Sequence, residues 1–96
     1  MHPVNRIELI VNSTEIKKLT KLLDKANVPG YTVFRHVNGK GEWGVTPEDT
    51  AMIDLDNAYI LVFCPSDQTE NLLGQIQPFL KKLGGRCYIS EAQALF

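Results

Sequence analysis

The sequence predicts a single α+β domain spanning residues 1–96, with element order βαββαβ and a four-stranded antiparallel sheet. Three observations carry this. Four short apolar runs have strand character. Two amphipathic stretches at helical spacing separate the first run from the second and the third from the fourth. An aperiodic connection, Asn38–Asn57, joins the second run to the third and is far longer than the usual ~4–6 residues.

The first strand is predicted over Asn5–Val11, where Ile7, Leu9 and Val11 alternate with Arg6 and Glu8. Ile10 adds an apolar residue to the second face, which points to partial cover there. Asn12 and Glu15 have capping-box spacing. Ile16, Leu19, Leu22, Leu23 and Ala26 then form one helical stripe, with Lys17, Lys18, Lys21, Asp24 and Lys25 off it on a solvated face. Pro29 biases Val28 away from helical angles and ends that helix.

The second strand, Tyr31–Val37, is purely polar on neither face, which predicts contacts on both sides. The third, Ala58–Cys64, is almost continuously apolar and suits a central position. Ser66 or Asp67 caps the second helix, with Glu70 at capping-box spacing from Asp67. Leu72, Leu73, Ile76, Phe79, Leu80 and Leu83 form its stripe. Pro78 falls inside that pattern and predicts a kink or two shorter segments. Gly84 and Gly85 end the helix. The fourth strand runs from Arg86 or Cys87 to Ser90, and Glu91–Phe96 either extends it or forms a separate edge.

This order is the split βαβ, or ferredoxin-like, pattern. Right-handed crossovers place both helices on one face and give strand order 4-1-3-2. Cys64 and Cys87 then lie two strands apart, about 9–10 Å, which is beyond the reach of a disulfide. The open face mixes Arg6, Glu8, Tyr31 and Arg35 with apolar residues, which favours a homo-oligomer that covers it.

Composition narrows the function classes. The chain is 44% hydrophobic and 22% charged, with a net charge of −1, as in globular proteins. That balance lacks the basic face a nucleic-acid backbone requires. No apolar run approaches the ~20 residues of a membrane span, and the first residues lack a signal-peptide layout, so a cytoplasmic protein without direct membrane insertion is expected. No nucleophile–base set or paired carboxylate emerges to suggest an enzyme.

The candidate functional residues cluster in and beside the long connection. Asn38–Gly39 is a turn signal. Gly39-Lys40-Gly41 lets backbone amides approach an anion while the lysine supplies charge. Trp43 on a polar stretch is a candidate anchor for a partner. Glu48, Asp49, Asp54 and Asp56 make the distal part of the connection acidic but lack the spacing of a calcium loop.

These segments together resemble the PII signalling superfamily, particularly the PII-like branch that regulates bicarbonate uptake in cyanobacteria. The matching stretches are Arg6-Ile-Glu-Leu-Ile-Val11, Gly30-Tyr31-Thr32-Val33, Asn38-Gly39-Lys40-Gly41 and Tyr88-Ile89-Ser90-Glu91-Ala92. The resemblance implies a non-enzymatic homotrimer with an adenine nucleotide (ATP, ADP, AMP or cyclic AMP) in clefts between subunits. It implies no covalent cofactor and no bound metal. The long connection corresponds to the T-loop, which engages or releases a target protein such as a transporter or enzyme. By position, Gly30 and Thr32 fall near the base, and Gly39, Lys40, Gly41 and Arg86 near the phosphates. Glu42, Trp43, Glu48 and Asp49 are the partner-facing residues. Where standard relatives carry a phosphate-loop lysine this chain has Arg86, which can grip phosphate through paired hydrogen bonds. No tyrosine lies in the connection, so uridylylation is not implied. Glu42 and Trp43 stand where the bicarbonate-regulator branch commonly has arginine.

Three other readings follow from the same pattern. One is a metal-responsive trimer like the copper-tolerance proteins, using His36 and loop carboxylates. Another is an interaction module that binds no nucleotide. The third is an acylphosphatase on this fold, whose arginine cradle Val11-Asn12-Ser13-Thr14 does not supply.

Overall fold

The computed structural model describes residues 1–37 and 56–96. Its elements are β1 (His2–Asn12), a 3₁₀ turn (Ser13–Glu15), α1 (Ile16–Lys25), β2 (Tyr31–Val37), β3 (Asn57–Pro65), α2 (Ser66–Leu83) and β4 (Arg86–Ala94). The strands form one antiparallel sheet in the order β2-β3-β1-β4, the expected ferredoxin-like order read from the other edge.

Alternation along the central strands sets the two faces of the sheet. Ile7, Leu9 and Val11 of β1 and Ala58, Ile60, Val62 and Cys64 of β3 are buried against the helices. From the helices, Ile16, Leu19 and Leu23 of α1 and Leu72 and Ile76 of α2 close the same core. Each fully buried Leu or Ile contributes about 1.5–3 kcal/mol through loss of apolar surface to water. One polar link crosses this layer: Asn5 donates to Thr69 Oγ1 at 2.8 Å, and Thr69 Oγ1 donates to the Pro65 carbonyl at 3.0 Å. Thr69 is therefore buried with its hydroxyl satisfied.

The elements depart from expectation at their ends. β1 begins at His2 rather than Asn5, and of the two alternatives for the tail the structure takes the extension, with β4 continuing past Ser90 to Ala94. The two extensions support each other, since His2 pairs with Ala94 and Val4 with Ala92. Pro3 lies opposite Gln93 of β4 and one residue beyond the last β1–β3 rung, Val4–Pro65, at the end of the sheet where proline is tolerated. Asn12 caps the first turn as expected, accepting from the Thr14 amide at 2.9 Å, but the Glu15 arm of a capping box does not form. At α2, Pro65 occupies the N-cap position and no side chain caps the helix, so the Ser66/Asp67 cap and the Asp67–Glu70 box are absent. Asp67 still favours the positive end of the helix from its first turn.

Pro78 does not divide α2, which is continuous from Ser66 to Leu83. A proline ring displaces the carbonyl four residues back. Here that residue is Gly74, with no side chain and open space around it. The backbone best able to yield thus lies under the ring.

The helix-free face carries the opposite set of side chains. Cross-strand register aligns Phe34, Tyr59, Ile10 and Arg86 in one row, and Thr32, Leu61, Glu8 and Tyr88 in the next. Phe34 and Tyr59 pack ring against ring at 5.7 Å between centroids. Phe34, Phe63 and Tyr88 are each about half exposed. Arg6 and Glu8 form an ion pair at 3.0 Å in the middle of this face.

Candidate functional site

The end of the sheet where β2 stops and β3 starts holds both roots of segment 38–55. Val37 pairs with Asn57, while Phe34 pairs with Tyr59, so β2 has one more residue than β3 between these rungs. The surplus is a bulge, and within it His36 takes φ 60°, a left-handed angle that histidine tolerates better than most residues. The bulge brings His36 Nδ1 to 2.8 Å from Asp56 Oδ2. Ser13, just past the end of β1, donates from its hydroxyl to the same Oδ2 at 3.0 Å and to the Asp56 backbone carbonyl. The Ser13 amide reaches that carbonyl as well, at 3.0 Å.

Asp56 therefore ties the two roots of the segment to each other and to the start of α1. This junction was not anticipated from the sequence. The signal that could have found it is topological: pairing β1 with β3 sets Asn12 against Asn57, so the residues just beyond them, Ser13 and Asp56, must meet. The three side chains do not make a hydrolytic triad. Asp56 stands between the other two, and Ser13 bonds to the carboxylate rather than to the imidazole, so the imidazole does not face the hydroxyl as it does in such a triad.

Arg86 opens β4 immediately after a two-glycine corner. Gly84 has φ 82° and its amide donates to the Leu80 carbonyl at 2.7 Å, closing α2. Gly85 has φ 122°, and a Cβ there would lie 2.8 Å from the Ile10 carbonyl oxygen. That close approach lets the chain turn directly from α2 into the β1 ladder and puts Arg86 on its first rung, opposite Ile10. Arg86 Nη1 donates to the Gly85 carbonyl at 3.1 Å. Its neighbour Cys87 is a free thiol, pushed above its ordinary 9.0 by burial, and Cys64 is also free.

Of the expected effector residues, the described ones, Gly30, Thr32 and Arg86, do not converge within one chain. Gly30 is exposed just before β2, and Thr32 is exposed on β2, paired with Leu61. Arg86 lies on β4, at the opposite edge of the sheet. Three strand spacings separate those edges, roughly 14 Å. Beside Gly30, the Tyr31 hydroxyl donates to Asp24 Oδ1 at 3.0 Å. That bond pushes the phenol above its ordinary 10.0, with desolvation and the negative charge adding to the effect. Gly39, Lys40, Gly41, Glu42, Trp43, Glu48 and Asp49 lie outside the described residues. Among the described residues no group of three or more His, Cys, Asp or Glu could hold a metal, and no helix is long and apolar enough to cross a membrane.

Comparison with known proteins identifies the fold's relatives. The family model for nitrogen regulatory protein P-II matches residues 4–95. No curated protein sequence gives a significant match. Among solved structures, CPII from Thiomonas intermedia K12, a nitrogen regulatory PII-like protein bound to ADP, AMP and bicarbonate, superposes with a TM-score of 0.79 at 27% identity, over 97% of this chain and 93% of that one. CPII bound to ADP and bicarbonate gives 0.81 at 28%, over 97% and 89%. A PII-like signalling protein from Thermus thermophilus shares the fold, with a TM-score of 0.72 at 15% identity, over 95% of this chain and 87% of that one. From its βαββαβ topology and a match that spans nearly its whole length, the chain belongs to the nitrogen regulatory protein P-II family.

Proposed function

We propose that this chain is a PII-like signal-transduction protein without enzymatic activity. It works as a homotrimer that senses an adenine nucleotide in clefts between subunits and passes the result to a target protein through the T-loop, residues 38–57. The observation that carries the nucleotide reading is the likeness, over 97% of the chain, to a protein whose structure is bound to ADP, AMP and bicarbonate. Thr32 and Arg86 stand on opposite edges of the sheet, an arrangement compatible with a site shared between copies.

In this reading Gly30 and Thr32 of one subunit flank the base. Gly39, Lys40, Gly41 and Arg86 bind the phosphates, with amide donors and positive charge opposing the phosphate oxygens. Glu42, Trp43, Glu48 and Asp49 face the target, which is a transporter or an enzyme of the cytoplasm. The Asp56 junction fixes the roots from which the loop projects.

Calorimetry with ATP, ADP, AMP and cyclic AMP, each with and without bicarbonate, tests the proposal. At least one nucleotide is expected to bind with micromolar affinity. Arg86→Gln is expected to weaken that binding by roughly 10-fold or more, as loss of a charge-assisted phosphate contact should. Absence of heat with every nucleotide, at protein concentrations that detect micromolar binding, would remove the nucleotide claim.

A further inference from the structure

The outer surface of the helix layer carries a charge pattern that the composition conceals. The net charge is −1, yet six of the ten lysines and arginines lie on the two helices. Lys17, Lys18, Lys21 and Lys25 of α1 are all exposed. At ~3.6 residues per turn they fall within an arc of about 100°, centred opposite the buried Leu19 and Leu23, so they face away from the sheet. Lys81 and Lys82, exposed in the last turn of α2, extend the patch. That turn leads into Gly85, which lies against Val11 at the end of β1 from which α1 departs. Among the described residues only Lys18 of these six has an ion pair, with Glu15 at a long 3.9 Å. Asp24, the one acidic residue of α1, is engaged by the Tyr31 hydroxyl at the edge of the arc. Lys17, Lys21 and Lys25 follow one another at i,i+4 spacing, where like charges destabilise a helix. Folding does not ask for this arrangement.

A body that covers such a patch must be anionic and must be read through charge alone. Protein interfaces draw on aromatic and arginine anchors and are poor in lysine. Single-stranded nucleic acid is held largely by stacking on aromatic side chains. The six residues include no aromatic and no arginine. Lysine is a hydrated point charge on a flexible stem, suited to many interchangeable headgroups rather than to one fixed partner. Clusters of four to eight such residues on an amphipathic helix are the pattern that anionic lipid attracts.

We propose that the lysine face of α1, extended by Lys81 and Lys82, adsorbs this protein to a lipid surface with anionic headgroups, without insertion. The proposal uses none of the residues of the nucleotide reading and does not rest on it. Screening over ~8 Å lets the surface feel these lysines rather than the net charge of the chain. Each lysine near an anionic surface raises partition about 5-fold.

Co-sedimentation of the full chain with lipid vesicles tests this, with far-UV circular dichroism as the check on folding. The wild type is expected to bind vesicles of phosphatidylcholine and phosphatidylglycerol at low salt, to leave them at high salt, and to ignore vesicles of phosphatidylcholine alone. Lys17→Gln/Lys18→Gln/Lys21→Gln/Lys25→Gln keeps helix propensity and is expected to weaken partition by about 100-fold or more. Should it fail to fold, Lys17→Gln/Lys21→Gln takes its place, with an expected loss of about 10-fold or more. The matching four Lys→Arg changes are expected to leave binding at the wild-type level. Wild-type protein that ignores anionic vesicles, or binds neutral ones equally well, would overturn the proposal. So would a glutamine variant that binds like the wild type, or an arginine variant as weak as the glutamine one. Capture by immobilised polyglutamate without binding to vesicles would replace the lipid by an acidic protein and overturn it as well.

Discussion

Replacing Gly85 by alanine probes the corner that delivers Arg86 to the sheet. Two penalties add there. The residue holds φ 122°, which an L side chain rarely adopts, at about 1–2 kcal/mol. The new Cβ would lie 2.8 Å from the Ile10 carbonyl oxygen and 3.0 Å from Leu80 Cδ2 and Val11 Cγ1. The two side chains can shift, but the carbonyl belongs to the strand that pairs with β4 at Arg86 and cannot move without disturbing that rung. Overpacking of this kind costs about 1–3 kcal/mol. The sum is about 2–5 kcal/mol, a large share of the ~5–15 kcal/mol that holds a domain folded. At ~4–8 °C per kcal/mol, a loss of ~3 kcal/mol lowers the melting temperature by roughly 12–24 °C. Urea unfolding followed by circular dichroism measures it, at one fixed protein concentration because any self-association would shift the midpoint. Gly84→Ala is the control: it has φ 82° but nothing within 4 Å of the added carbon, so it carries the backbone strain alone. If Gly85→Ala proves no worse than Gly84→Ala, the close approach to Ile10 is not what demands glycine.

Three further outcomes are expected. Pro78→Ala restores a donor to the carbonyl of Gly74 in the middle of α2 and should stabilise the protein by about 1–3 kcal/mol, read as a higher urea midpoint; a lower midpoint would mean that the ring contributes packing which alanine lacks. Asp56→Ala removes the carboxylate that Ser13 and His36 share, with an expected loss of about 1–2 kcal/mol, and a double-mutant cycle with His36→Ala should return a coupling of at most ~1 kcal/mol because His36 is 80% exposed. Burial raises the Cys87 thiol above its value in the unfolded chain, so the folded state holds this proton more tightly; the stability it contributes is complete below pH ~9 and is lost as pH rises through the raised value. Comparing urea midpoints at pH 8 and pH 10 should show a larger fall for the wild type than for Cys87→Ala, and equal falls would contradict the assignment.

Where the chain's information was local, the sequence was sufficient. Period-2 alternation in β1, the continuous apolar run of β3 and the stripes of α1 and α2 are properties of neighbouring residues. They imposed the element order, the right-handed crossovers and from these the strand order, since few other arrangements bury both stripes on one sheet. Gly30-Tyr31-Thr32-Val33 and Gly39-Lys40-Gly41 carried the family resemblance for the same reason. Element ends were less legible. Whether Asn5 or His2 begins β1 depends on whether Ala92–Ala94 lies alongside, which is a pairing between residues ~90 positions apart. Pro78 did not divide the helix, because the cost of a proline depends on the residue four positions back, which here is Gly74.

What only the tertiary structure decided concerns the site. Ser13, His36 and Asp56 are ordinary in sequence and meet because the β1–β3 register and a single surplus residue in β2 bring them there. Thr32 and Arg86 read as members of one binding set, and only the strand order reveals that they stand at opposite edges of the sheet. Arg6 and Glu8 alternate with core residues as any solvated strand face would. Only the register shows that the neighbouring strands surround them with Leu61, Phe63 and Tyr88. Pattern within a segment reports which face is buried, whereas function here depends on which segments the register sets side by side.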